Sequence, residues 1–190
     1  MPRITDTPVA PLFLERWSPR AFDRSTLSNA DLRLLLDAAR WAPSAYNYQP
    51  WRFLYAHRET SDWQRFLDLL IPFNQSWAKD ASVLVFVLSD TVMGSPDKPS
   101  HSHSFDAGAA WMQMALQAHL SGFHTHGMSG VDFGRAAEEL KVPARFRIEA
   151  AIAVGRIGDA ARLPESLRDR ETPSDRKPLD EIAFAGSFPA

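Results

Sequence analysis

The segment that most restricts the fold of this chain is Ser82 to Ser89, reading Ser-Val-Leu-Val-Phe-Val-Leu-Ser. An unbroken apolar, β-branched run of this length reads as a strand buried on both faces. Such a strand needs cover above and below, so the chain must supply apolar helices for two layers. It does. Ser28-Asn29-Ala30-Asp31 forms a helix-starting capping box, with Leu32, Leu35, Leu36 and Ala39 on one face and Pro43 as the stop. Phe105 to Ser121 predicts a long helix, apolar nearly all round and therefore central and buried, ended by Gly122.

The remaining elements fill in around this pair. Pro8 to Arg16 predicts a short first helix, and Trp51 to His57 a strand with Trp51, Phe53 and Tyr55 on one face. Thr60 or Ser61 caps a helix that turns Trp63, Phe66, Leu67 and Leu70 inward. Phe123 to Met128 and Arg147 to Val154 read as strands, and Asp132 caps a helix running to Leu140. The Pro-, Ser- and His-rich stretch from Thr91 to Ser104 reads as a mobile loop. Alternating helices and strands give a layered α+β (α/β) domain spanning 1–190, with a polar C-terminal arm over about 158–190.

Composition narrows the chemistry. A net charge of -2 argues against nucleic acid as a partner. The chain has no cysteine, which rules out disulfides, thiolate catalysis and Cys-ligated metal within it. Val83 to Leu88 is its longest apolar run, too short to span a membrane, and the N-terminus shows no signal-peptide pattern; the expectation is a cytoplasmic protein. Six Trp and twelve Phe suit packing around an aromatic cofactor or a large subunit interface. His119, His124 and His126 cluster, but Gly122 separates the first from the others, and His101 and His103 lie in the loop; no metal site is expected. Gly127-Met128-Ser129-Gly130 lacks the closing glycine of a nucleophile elbow, since Val131 stands there. No GxGxxG follows a strand, so a nicotinamide donor would bind only transiently.

Two segments carry the positive signals. Arg16-Trp17-Ser18-Pro19-Arg20 presents two guanidinium groups and a hydroxyl at alternating positions, on one edge if extended. That pattern suits an anion such as phosphate. Pro43-Ser44-Ala45-Tyr46-Asn47-Tyr48-Gln49-Pro50-Trp51 places amide and hydroxyl side chains on a stiff loop. In this order, with Arg176-Lys177-Pro178 and Gly127-Met128-Ser129-Gly130-Val131-Asp132 downstream, they resemble the nitroreductase family of FMN-dependent oxidoreductases. The resemblance runs from about Arg16 to Ile182.

That resemblance implies a mixed central β-sheet flanked by helices and a homodimer with FMN at the subunit interface. It implies hydride transfer from NAD(P)H through the flavin N5 to a nitroaromatic, quinone or similar small acceptor, by ping-pong kinetics. Arg16, Ser18 and Arg176 would hold the FMN phosphate. Arg20 would act as the catalytic cation near the N1–O2 edge; its alternative is a surface pair with Asp23. Asn74 would bond the flavin ring or else cap a helix. Ser44 and Asn47 would touch the partner's flavin, with Gln49 bracing the loop, and Met128, Ser129 and Gly130 would flank the pyrimidine side. Trp77 and Ser129 stand where some family members have Lys and Glu, which bears on flavin potential and substrate range. The alternatives are a flavin-storage protein without turnover, or a related flavoenzyme that oxidises or fragments its substrate.

Overall fold

The computed structural model describes Arg3 and residues 5–189. After α1 (Pro11–Glu15) the chain runs extended into α2 (Asn29–Arg40), whose N-cap Ser28 accepts the Asp31 N–H. A 3-10 turn over Ala45–Asn47 leads into β1 (Trp51–His57). Then come α3 (Trp63–Asp68), α4 (Pro72–Ala78) and β2 (Val83–Asp90). Neither Thr60 nor Ser61 caps α3: its N-cap is Asp62, while the Thr60 hydroxyl donates to the His57 carbonyl.

Every residue of β2 is buried, as a two-sided strand requires. Its side chains alternate between two cores. Leu84, Phe86 and Leu88 join Phe22, Trp63, Phe66 and Trp77. Val83, Val85 and Val87 join Leu32, Leu35, Trp51 and Met114. Period-two alternation therefore puts α3 and α4 on one side of the sheet, and α2 and the long helix on the other.

The segment expected to be a loop between Thr91 and Ser104 is instead a hairpin, β3 (Val92–Met93) with β4 (Ser95–Pro99), and α5 (His103–Leu120) starts two residues earlier than expected. Gly94 makes the turn at φ +80°, and the Ser100 N–H closes the hairpin onto the Thr91 carbonyl. Helix α5 packs against α2 and the sheet, but it is not buried all round. Phe105 is 81% and Leu120 66% exposed, because only one face meets the sheet. Beyond Gly122 follow β5 (His124–Met128), α6 (Phe133–Glu139) and β6 (Phe146–Gly155).

The sheet order is β1-β2-β6-β5. The α+β class holds, but the implied mixed sheet does not: all three ladders are antiparallel among the described residues. The helix-bearing connection from β1 to β2 returns the chain to an adjacent antiparallel position, which alternating elements do not forbid. After β6 comes the arm. It holds a turn at Ala160–Arg162, α7 (Glu165–Arg168) and a turn at Leu179–Glu181. Leu163 and Leu167 enter the first core, whereas Leu179, Ile182 and Phe188 stay exposed. No described helix is long and apolar enough to cross a membrane.

Candidate functional site

The extended segment after α1 does what its alternation predicts. Arg16, Ser18 and Arg20 all line one cavity of about 490 Å³, and Arg176, far away in sequence, lines it too. Among the cavity's other lining residues, sequence reasoning missed Arg3, Arg170 and His126 as site contributors. Arg3 braces the wall by donating to the Leu14 and Arg16 carbonyls at 3.0 and 2.8 Å, and to the Ser174 carbonyl at 2.9 Å. Arg16 donates to the Ser18 hydroxyl at 3.3 Å.

Five guanidinium groups thus face one space, and none of them belongs to a salt bridge among the described residues. Burial and electrostatic strain show in the proton affinities of Arg16 and Arg20. Burial, then the charges of Arg3 and Arg176, pushes Arg16 below the usual arginine range. Burial also lowers Arg20; the Glu171 carboxylate opposes this and Arg170 adds to it. Clustered like charge outside any salt bridge is costly unless an anion fills the space.

Arg20 does not pair with Asp23, whose carboxylate instead accepts the Ser25 N–H. Its guanidinium lies 6.0 Å from the Trp77 ring centroid, and its Nε is buried without a partner. Trp77 also packs against His126, ring centroids 4.7 Å apart. His126 Nδ1 lies 3.0 Å from the Pro19 carbonyl. A carbonyl only accepts, so Nδ1 carries the proton and Nε2 is bare at neutral pH. Burial holds the His126 pKa down to about 4; the Pro19 bond opposes the shift and the Arg20 charge adds to it.

The second group of expected residues gathers beside this one. Asn74 lies inside α4 rather than capping it, one turn before Trp77, and is buried. Its Nδ2 donates to the Gly130 carbonyl at 3.1 Å, which also accepts the Ile71 N–H. A Cβ on Gly130 would sit 2.5 Å from Asn74 Nδ2, so the close approach requires glycine. Met128 is buried in the first core, and Ser129 follows it at the end of β5, the strand that carries His126. These residues border the cationic cavity through Trp77 and His126 without lining it.

Ser44 and Asn47 do not line the cavity either. Their loop is strained: Tyr46, Asn47 and Gln49 all have positive φ, at 49°, 58° and 51°. Ser44 Oγ accepts the Gln49 N–H at 3.0 Å, and Gln49 Nε2 donates to the Asn47 carbonyl at 3.2 Å, so Gln49 does brace the turn. The anchor is Asp106, a buried carboxylate on α5 that accepts the Ala45 N–H and the Ser102 hydroxyl.

A cofactor with a phosphate at one end and a polar planar ring at the other fits this arrangement. The arginine cluster suits the anion, and Arg20 lines the same cavity with its Nε buried and without a partner. The model of the nitroreductase family matches residues 14–156. A solved structure described as an oxidoreductase containing FMN is 53% identical, with a TM-score of 0.96, covering 98% of this chain and 96% of its own. A Desulfovibrio desulfuricans protein solved in complex with FMN is 27% identical, with a TM-score of 0.74, covering 97% of this chain and 100% of its own. The CLA biosynthesis enone reductase of Lactiplantibacillus plantarum is 23% identical over 90% of this chain and 95% of its own length.

Proposed function

The chain belongs to the nitroreductase family, and on that premise we propose that it is an FMN-dependent oxidoreductase drawing on NAD(P)H and working as a homodimer. The observation that carries the reading is the cavity lined by five arginines, none of them in a salt bridge among the described residues, with Arg20 Nε buried and unpartnered. FMN, when bound, would supply the two-electron chemistry, taking hydride from NAD(P)H and reducing a small acceptor such as a nitroaromatic, a quinone or an enone.

The protein's own part is binding and electrostatics. Arg16, Ser18 and Arg176 would hold the phosphate, with Arg3 fixing the backbone beneath Arg16. Arg20, backed by the Trp77 face, would present positive charge where the ring gains electron density. Asn74 would be held toward the ring by its bond to Gly130, with Met128 and Ser129 flanking it. Ser44 and Asn47 lie outside the cavity of their own chain, which supports their acting on the flavin of a second copy. His126, neutral at physiological pH, lines the cavity and adds no charge of its own.

The direct test is the visible spectrum of the purified protein, before and after anaerobic NAD(P)H. A yellow protein that releases FMN on denaturation, and bleaches with the donor, is the expected result. A yellow protein that does not bleach would be a flavin-storage protein, and release of FAD would sink the cofactor assignment.

A further inference from the structure

The cationic cavity has two walls. One is the Arg16–Arg20 segment, and the other is the C-terminal arm, with Arg170 and Arg176 facing inward. Both walls carry positive charge, so without an anion between them they repel. The arm also has little to hold it there. Beyond Leu167 no described residue is buried, and Glu171 alone is part-buried.

Glu171 makes the attachment. Its Oε1 accepts the backbone N–H groups of both Arg20 and Ala21, at 2.7 and 2.8 Å. Apart from local backbone bonds to Leu167, Arg168 and Glu181, the one other hydrogen bond between residues 169–178 and the rest of the described chain is from Arg3 to the Ser174 carbonyl. Glu171 Oε2 is buried without a partner, and the carboxylate charge favours the charged form of Arg20. A carboxylate spanning two consecutive N–H groups is a charge-assisted clasp. It grips the peptide units next to the Arg20 side chain.

We propose that Glu171 is a positioning residue: by clasping the Arg20 and Ala21 N–H groups it locks the arm against the Arg16–Arg20 segment, so that guanidinium groups from both walls converge on the cofactor phosphate. Glu171 itself touches no cofactor in this scheme. Its loss swings Arg170 and Arg176 out of reach, and phosphate recognition falls while ring recognition is spared. The proposal rests on the FMN reading above.

The test compares FMN with riboflavin, which lacks the phosphate, by quenching of flavin fluorescence. The ratio of their dissociation constants isolates the contribution of the phosphate, and general destabilisation moves both constants together. Glu171→Ala is expected to shrink that ratio by about tenfold to a hundredfold, the scale of one charge-assisted hydrogen bond. Glu171→Gln, whose amide oxygen still accepts both N–H groups, should keep most of it. Trypsin supplies a second readout. FMN should protect the bonds after Arg170 and Arg176 in wild type but not in Glu171→Ala. A Glu171→Ala ratio equal to wild type overturns the proposal alone, as does a Gln variant no better than Ala. A wild-type protein with no preference for FMN over riboflavin overturns the phosphate assignment and this proposal with it.

Discussion

Mild acid should destabilise this protein through a buried histidine. His126 is wedged between the Trp77 ring and the Pro19 carbonyl, and its pKa is held at about 4. In the unfolded chain it titrates near 6.5. Above pH 6.5 both states hold a neutral ring and the group contributes nothing. Between pH 6.5 and about 4 the unfolded state binds a proton that the folded state refuses, so stability is lost as the pH falls. A displacement from 6.5 to about 4, at about 1.36 kcal/mol per pH unit, amounts to about 3 kcal/mol. For a chain of this size that lowers Tm by roughly 6–12 °C.

His124 adds to the loss in the same window, since burial, then the charges of His119 and Arg16, also brings it to about 4. Its greater exposure makes its share smaller. Two carboxylates, Asp90 and Glu149, act lower. Asp90 is held below its usual range by its bond from Arg145, and Glu149 by bonds from Ser89, Ser104 and Arg147 that outweigh its burial. Their contributions are present above about pH 4–4.5 and are lost only as the pH falls further. The assay is thermal melting by circular dichroism from pH 4 to 8 for wild type and His126→Asn. The Asn amide can still donate to the Pro19 carbonyl but does not titrate. The variant should melt lower at pH 7, having lost the ring packed on Trp77, yet show a flatter profile between pH 6.5 and 4.5. Parallel profiles across that window would refute the argument.

Three further outcomes follow from the site. Arg176→Glu should weaken FMN by about 10- to 100-fold, at the low end because Arg176 is exposed. Lys177→Glu, which breaks only a pair with Glu181 at 3.8 Å outside the cavity, should stay within about threefold; equal dissociation constants would put the wrong residue on the phosphate. Arg20→Ala should slow bleaching by NAD(P)H about 10- to 100-fold, with a smaller change in FMN affinity, because its charge matters most as the ring gains electrons; stopped-flow reduction at the wild-type rate would leave Arg20 structural. Light scattering should give a dimer for the flavin-bound protein, with an interface well above ~2,000 Å². A monomer that retains flavin would remove Ser44 and Asn47 from the site.

Much of the fold was legible because its signals are local. The β2 run, the Ser28 and Asp132 caps and the Gly122 helix stop each depend on residues within a few positions of one another, and each appears in the structure. The hairpin after β2 was not legible. Its Pro- and Ser-rich composition reads as loop, and its order comes from Gly94 and a backbone closure between Thr91 and Ser100. Hydropathy likewise overstated the burial of α5, since an apolar face signals a need for cover without showing what provides it.

The site divides along the same line. Arg16, Ser18 and Arg20 could be read together because alternation along an extended segment aims side chains one way. Arg176 was found only through resemblance to a family, and Arg3 and Arg170 not at all, since nothing local ties them to the segment they face. The anchors were equally silent. Asp106 holds the Ser44–Gln49 turn through the Ala45 N–H, and Glu171 holds the Arg16–Arg20 segment through two more. A loop that spends its side chains on a ligand has few left to fix itself, so its backbone donors must be satisfied from elsewhere. Any carboxylate that the fold brings within about 3 Å can do this, from any position in the chain. Motif order therefore shows which groups meet the ligand, while the groups that hold them in place emerge only once the arm and α5 are folded against them.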